Sequence, residues 1–171
     1  MHGGDRNHHI QGHQLSVPKK HFAYLRGPGF LTLAVFWQIE NRALELNPDH
    51  VEAHQALGEF PAGQNQSAQA VSHYLIVVKS KSADFRVLNN LAVNLDKQGR
   101  YIEAIDYYRR ALEVQPGNPG VHYNLAVALL RQNDIPTARF HLIRTLEIKP
   151  GFAQARMALK SMEELLQRQN R

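Results

Sequence analysis

Three consecutive segments of this chain, residues 51–84, 85–118 and 119–152, align without a gap at a period of 34 residues. The register shows in Leu57, Leu91 and Leu125, each followed by a small residue, Gly58, Ala92 and Ala126. It continues through Ala70, Ala104 and Ala138, then Tyr74, Tyr108 and Leu142, and ends on Ser82, Pro116 and Pro150. Pro48 stands one further period back, and the run NRALELNPD parallels RRALEVQPG and IRTLEIKPG. A period of this length constrains the fold more than any composition does. One unit is too short to bury its own apolar face, so successive units must stack and share a core built from neighbour contacts.

Within a unit the apolar period is helical. Leu88, Leu91, Ala92 and Leu95 fall at i, i+3, i+4 and i+7, one face of an amphipathic helix. Tyr101, Ile105, Tyr108 and Leu112 repeat that face in a second helix, with Arg109 and Arg110 marking its polar side. Gly99 between the two suits a left-handed turn. The small residues at Ala92 and Ala104 mark a close approach of two helices. Asn118 before Pro119 reads as an N-cap with proline in the first turn. Asp134 before Pro136 reads the same way, and Pro116 and Pro150 stop the preceding helices. The resulting map places helices near 18–26, 31–46, 50–60, 66–79, 84–97, 101–114, 119–131, 135–148 and 152–169. The last has Lys160, Glu163, Glu164 and Gln167 on one side and Leu159, Met162, Leu165 and Leu166 on the other. That composition suits a helix that covers the final unit and also meets water.

These units resemble tetratricopeptide repeats (TPR), 34-residue helix–turn–helix units with small residues in mid-helix and a late proline. The resemblance covers roughly residues 30–152, with a fainter first unit from Val17. It implies an all-α, right-handed α-solenoid of helix–turn–helix repeats over 17–152. Its units are a degenerate 17–50, then 51–84, 85–118 and 119–152, with 153–171 as a C-terminal capping helix. It further implies a non-enzymatic protein–protein interaction scaffold whose first helices line a concave groove for an extended peptide. The register puts Glu52, Gln55 and Glu59 there, followed by Arg86, Asn89, Asn90, Val93 and Lys97. The next unit supplies Tyr123, Asn124, Val127 and Arg131. Asn90 and Asn124 are register-equivalent, and a side-chain amide can both donate to and accept from a peptide backbone. In the family, asparagines at these positions contact peptide backbone; stabilising the repeat itself is the other reading of the pair. Arg86, Lys97 and Arg131 would suit a carboxylate, or else are charges on a solvated face. The neighbouring unit has Ala56 and the next has Gly120, so the full basic clamp for a chain-terminal carboxylate is absent.

The chain departs from the pattern in three places. Residues 1–16 hold His2, His8, His9 and His13, three glycines and little apolar content, which reads as a disordered tail. His9 and His13 are four apart, but Gly12 undermines a helix there and no carboxylate joins them, so no metal site is assigned. Residues 30–39 are apolar on nearly every side, with Phe30, Leu31, Leu33, Val35, Phe36, Trp37 and Ile39. Burial by the N-terminal segment accounts for that, and self-association into a homo-oligomer through Phe36 and Trp37 is the alternative. The run Phe60, Pro61, Ala62, Gly63 falls where a helix should finish, so Pro61 marks a local distortion.

Composition narrows the function. The chain has no cysteine, which removes disulfides, thiolate metal sites and cysteine nucleophiles. Its net charge of +5 sits at the two ends. Residues 27–150 carry twelve basic and twelve acidic side chains, not the basic stripe that nucleic acid requires. No stretch approaches the length of a membrane span. No charged n-region followed by an apolar h-region opens the chain, which favours the cytoplasm. Phosphate loops, HExxH and GxSxG are missing, so no cofactor or catalytic residue is assigned. His141 follows Thr137 by four and His73 adjoins Ser72, without a convincing acid and nucleophile. Both read as lone surface histidines, while His54 and His122, two periods apart, read as packing beside the repeat seam. Asp106 and Arg110 are within i,i+4 reach.

Overall fold

The structure, a computed structural model, describes residues 28–59, 66–80 and 83–169. The 1–16 tail, the helix expected at 18–26 and the distortion at Pro61 lie outside the described residues. The chain divides after Phe36, and the unit from Trp37 onward holds the gapless repeats.

The described residues form eight α-helices: α1 (Pro28–Leu46), α2 (Val51–Glu59), α3 (Gln66–Lys79), α4 (Phe85–Lys97), α5 (Tyr101–Val114), α6 (Pro119–Arg131), α7 (Ile135–Ile148) and α8 (Ala153–Gln169). From α2 onward the observed ends lie within one residue of those read from the sequence. α1 begins three residues earlier than expected because Pro28 sits in its first turn, where the missing N–H has no helical partner to lose. α2, α4, α6 and α8 begin at residues 51, 85, 119 and 153, one 34-residue step apart.

Each even-numbered helix through α6 packs on the helix that follows it, and each of these hairpins packs on the next, ending with α7 against α8. α4 also touches α6 directly. This is a stack of helix–turn–helix repeats, an α-solenoid, and its core runs along the stack. Leu91, Leu125 and Leu142 are fully buried, as are Ala92, Ala104, Ala126 and Ala138. The alanines allow the close helix approach that the sequence implied. At the same register in α2 stands Gly58, where even a Cβ would lie 2.8 Å from the ring of Tyr74. The ring of Tyr74 stands against this glycine closely enough to leave no space for a side chain as Tyr74 is placed.

The caps have simple causes. Oδ1 of Asp84 accepts from the N–H groups of Arg86 and Val87 at 2.9 and 3.0 Å. Asn118 does the same for Gly120 and Val121 at 3.0 and 3.1 Å, and Asp134 accepts from Thr137 at 3.2 Å. Gly99 has φ +76°, and Asn133, one period later, has φ 59°; asparagine is one of the few residues that tolerate this left-handed turn. Asp106 and Arg110 do not pair as expected. The Arg110 guanidinium lies over the Tyr107 ring instead, 4.9 Å from its centroid.

α8 stands where the first helix of another unit would, yet Arg156, Lys160 and Glu163 occupy the positions of Leu88, Ala92 and Leu95 in α4. Its Ala155 and Met162 are buried, and Glu163 reaches Arg139 of α7 at 3.5 Å. One face docks and the other is charged, as a capping helix requires.

Candidate functional site

An open cleft of about 470 Å³ lies along the first helices of three successive units. Glu59 of α2 lines one side. Phe85, Arg86, Asn89 and Asn90 of α4 line the middle, and Asn118, Gly120, Val121 and Asn124 line the other side. Gly120 leaves room at the α6 end that a side chain would fill.

A short chain of amides crosses the cleft. Nδ2 of Asn124 donates to Oδ1 of Asn89 at 3.1 Å, joining α6 to α4. Nδ2 of Asn89 in turn reaches Oδ1 of Asn90 at 3.4 Å. Asn90 also acts on the phenol of Tyr74, whose burial raises its pKa to about 12. The amide row is thus tied into the repeat, and each amide keeps unused donor and acceptor capacity.

Of the residues the register assigned to the groove, the cleft gathers Glu59, Arg86, Asn89, Asn90 and Asn124. Its cations have partners already. Arg86 forks onto Oδ2 of Asp84 at 2.8 and 2.9 Å. Arg131 pairs with Asp96 of the preceding unit and lies over the Tyr101 ring at 5.4 Å. Tyr123 packs against Phe152 with centroids 5.1 Å apart. Val127 is half-buried and Lys97 exposed, and neither lines the cleft. Gln55 donates to Glu59 at 3.0 Å, so that carboxylate is held at the α2 edge. The side chain of Phe36 lies outside the described residues, whereas Trp37, Ile39 and Leu46 are exposed.

The structure also pairs histidines that stand 19 residues apart in the chain. Nδ1 of His54 lies 2.8 Å from Nδ1 of His73, and its Nε2 lies 2.8 Å from the carbonyl of Pro48. Two periods on, His122 and His141 repeat this at 2.9 Å, with His122 Nε2 2.9 Å from the carbonyl of Pro116. Burial lowers the pKa of His73, aided by the charge of His54. Burial likewise lowers that of His122, and Arg144 adds to the effect. His141 is pushed down to about 4 by burial, then by His122 and Arg109. The signal was present in the sequence, since both members of the first pair recur 68 residues later, at 54 and 122 and at 73 and 141. Among the described residues no three histidine or carboxylate groups converge to hold a metal ion. No described helix is long and apolar enough to cross a membrane.

Known proteins share this architecture. The crystal structure of YrrB, described as a TPR protein with an unusual peptide-binding site, superposes with a TM-score of 0.73 at 16% identity, covering 81% of this chain and 72% of that one. A crystal structure of MamA gives 0.71 at 20% identity and covers 75% of each chain. MamA from Desulfovibrio magneticus RS-1 gives 0.64 at 21% identity, over 72% of this chain and 70% of that one. At these identities the likeness is one of fold. No curated protein matches the sequence. Two family models, each described as tetratricopeptide repeat, match residues 62–119 and 97–162. Proteins of that fold generally serve as non-catalytic scaffolds for protein–protein contacts. With the period, the stacked hairpins and these matches in agreement, the chain belongs to the tetratricopeptide-repeat family.

Proposed function

We propose that this protein is a non-enzymatic scaffold that binds an extended peptide or protein segment along the cleft of α2, α4 and α6. The observation that carries this reading is the amide row Asn124–Asn89–Asn90, which spans two units in an open cleft. Amides offer a peptide backbone both donors and acceptors, which gives affinity without demanding one sequence. Arg86 and Arg131 are committed to Asp84 and Asp96. They shape the groove's edge and contribute less to ligand charge than free cations would. That a structural relative, YrrB, is described by its peptide-binding site supports the same reading.

A peptide-library capture with the native chain and with an Asn90→Ala/Asn124→Ala variant tests it. The variant should stay folded by circular dichroism and lose at least tenfold in affinity for captured peptides. Unchanged affinity in a folded variant removes these amides from the mechanism. The exposure of Trp37, Ile39 and Leu46 at 37%, 59% and 74% favours a second reading, self-association through the N-terminal end. Light scattering across a concentration series decides that one, and a mass fixed at the monomer sinks it.

A further inference from the structure

We propose that His54–His73 and His122–His141 are two copies of an acid-sensitive latch, each closing one helical hairpin of the solenoid. The unlatched α4–α5 hairpin lies between them. The hydrogen-bond partners fix where the protons sit. Each first-helix histidine points Nε2 at a proline carbonyl, which can only accept, so that nitrogen carries the proton. Its Nδ1 is therefore a lone pair, and the facing Nδ1 on α3 or α7 must donate into it. The bridge survives one added proton, taken at the free Nε2 of the donor ring. A second proton can only enter at the shared Nδ1 lone pair. It would set two N–H groups head to head at under 3 Å, and the pair must then part. The two rings titrate as one coupled unit.

Burial and the nearby charges resist protonation, opposed at His122 by its hydrogen bond to the Pro116 carbonyl. The charged groups acting on the second pair are Arg144 of α7, on His122, and Arg109 of α5, on His141. Both are cations and both disfavour protonation. On the first pair the acting charge is that of His54 on His73. In α4–α5 the same two positions hold Leu88 and Tyr107, neither of them an imidazole. In the closed hairpins burial holds His73, His122 and His141 below the ordinary imidazole range and the bridge has no site for a second proton, whereas an opened hairpin binds protons near the ordinary imidazole pKa of about 6.5. The latches are therefore fully closed above that value and weaken as pH falls below it, the second as pH approaches the value of about 4 that His141 takes when closed. Because α2 and α6 form the two flanks of the cleft, opening would displace its walls and leave α4 in place. Any consequence for a bound peptide rests on the groove reading above, but the latch itself does not.

Hydrogen exchange followed by mass spectrometry at pH 7.5 and 4.5, corrected for intrinsic rates, tests the latch on the full chain without any ligand. Two pH units below an imidazole's ordinary pKa, one proton excluded from the closed state multiplies the opening equilibrium about 100-fold. Protection in α2–α3 and α6–α7 should fall by about that factor relative to α4–α5. Replacing the second pair by what the central hairpin carries, His122→Leu with His141→Tyr, should abolish the fall in α6–α7 alone. Equal losses in all three hairpins, or an undiminished loss in that variant, overturn the proposal. Should the variant fail to fold, NMR titration of the native imidazoles decides. Values below 6.5 for the paired rings sustain the latch, and ordinary values for all four end it.

Discussion

Individual positions in this chain are fixed by volume and by donor geometry, and both can be tested one side chain at a time. Gly58 faces the ring of Tyr74, which is 1% exposed, and an added Cβ would lie 2.8 Å from that ring. Gly58→Ala should therefore destabilise the protein by about 1–3 kcal/mol through overpacking, although alanine is the better helix former. Urea unfolding measures the outcome, and a stabilised variant would show that Tyr74 moves freely. Donor geometry is the second constraint. His54, His122 and Arg156 occupy one register position, and each places a side-chain nitrogen on the carbonyl of the proline six residues back, at 2.8, 2.9 and 2.7 Å. The chemistry of the donor changes while the task stays the same. This is why the histidines were hard to interpret from the sequence. Read singly, His73 and His141 sit on mixed surfaces; only the recurrence of both partners two periods apart shows that they belong together.

Helices are the level at which the sequence spoke most clearly, because their ends are set by local chemistry. Asp84, Asn118 and Asp134 each accept from backbone N–H groups in the first turn that follows, and these residue types favour that geometry wherever the chain goes next. Asp84→Ala or Asn118→Ala should cost about 1 kcal/mol each, measured by urea denaturation. An effect near zero would mean that neighbour packing alone fixes those helix starts. The groove was less legible for a geometric reason. Register equivalence pairs residues 34 apart, as with Asn90 and Asn124, but side chains that touch between α4 and α6 are 35 apart. Asn124 bonds Asn89, and Arg131 bonds Asp96. The one-residue offset comes from how the two helices lie against each other, which no single-helix pattern encodes. It turns Arg131, a cation read as a ligand contact, into an internal tie, and it links Asn124 to the amides of α4.

Across the repeat array, stability should be distributed rather than pooled. Leu91, Leu125 and Leu142 are each fully buried, but each is buried by its own hairpin and the next, since most contacts join adjacent helices. In such a stack the interior units have neighbours on both sides, and α8 has α7 on one side only among the described residues. Removing a buried side chain should therefore act according to its place. Leu125→Ala, at the seam of α6 with its neighbours, should cost about 2–5 kcal/mol and lower protection from exchange throughout α4–α7. Met162→Ala removes a side chain that is 5% exposed, yet its loss should loosen α8 and leave α4–α6 nearly unchanged. Exchange measured helix by helix separates the two expectations. If Met162→Ala lowered protection equally in every helix, the chain would be one cooperative globule whose repeats share a common core. If the loss stays in α7 and α8, each interface holds its own neighbours, and a segment bound across α2, α4 and α6 would add the long-range contact that the stack by itself lacks.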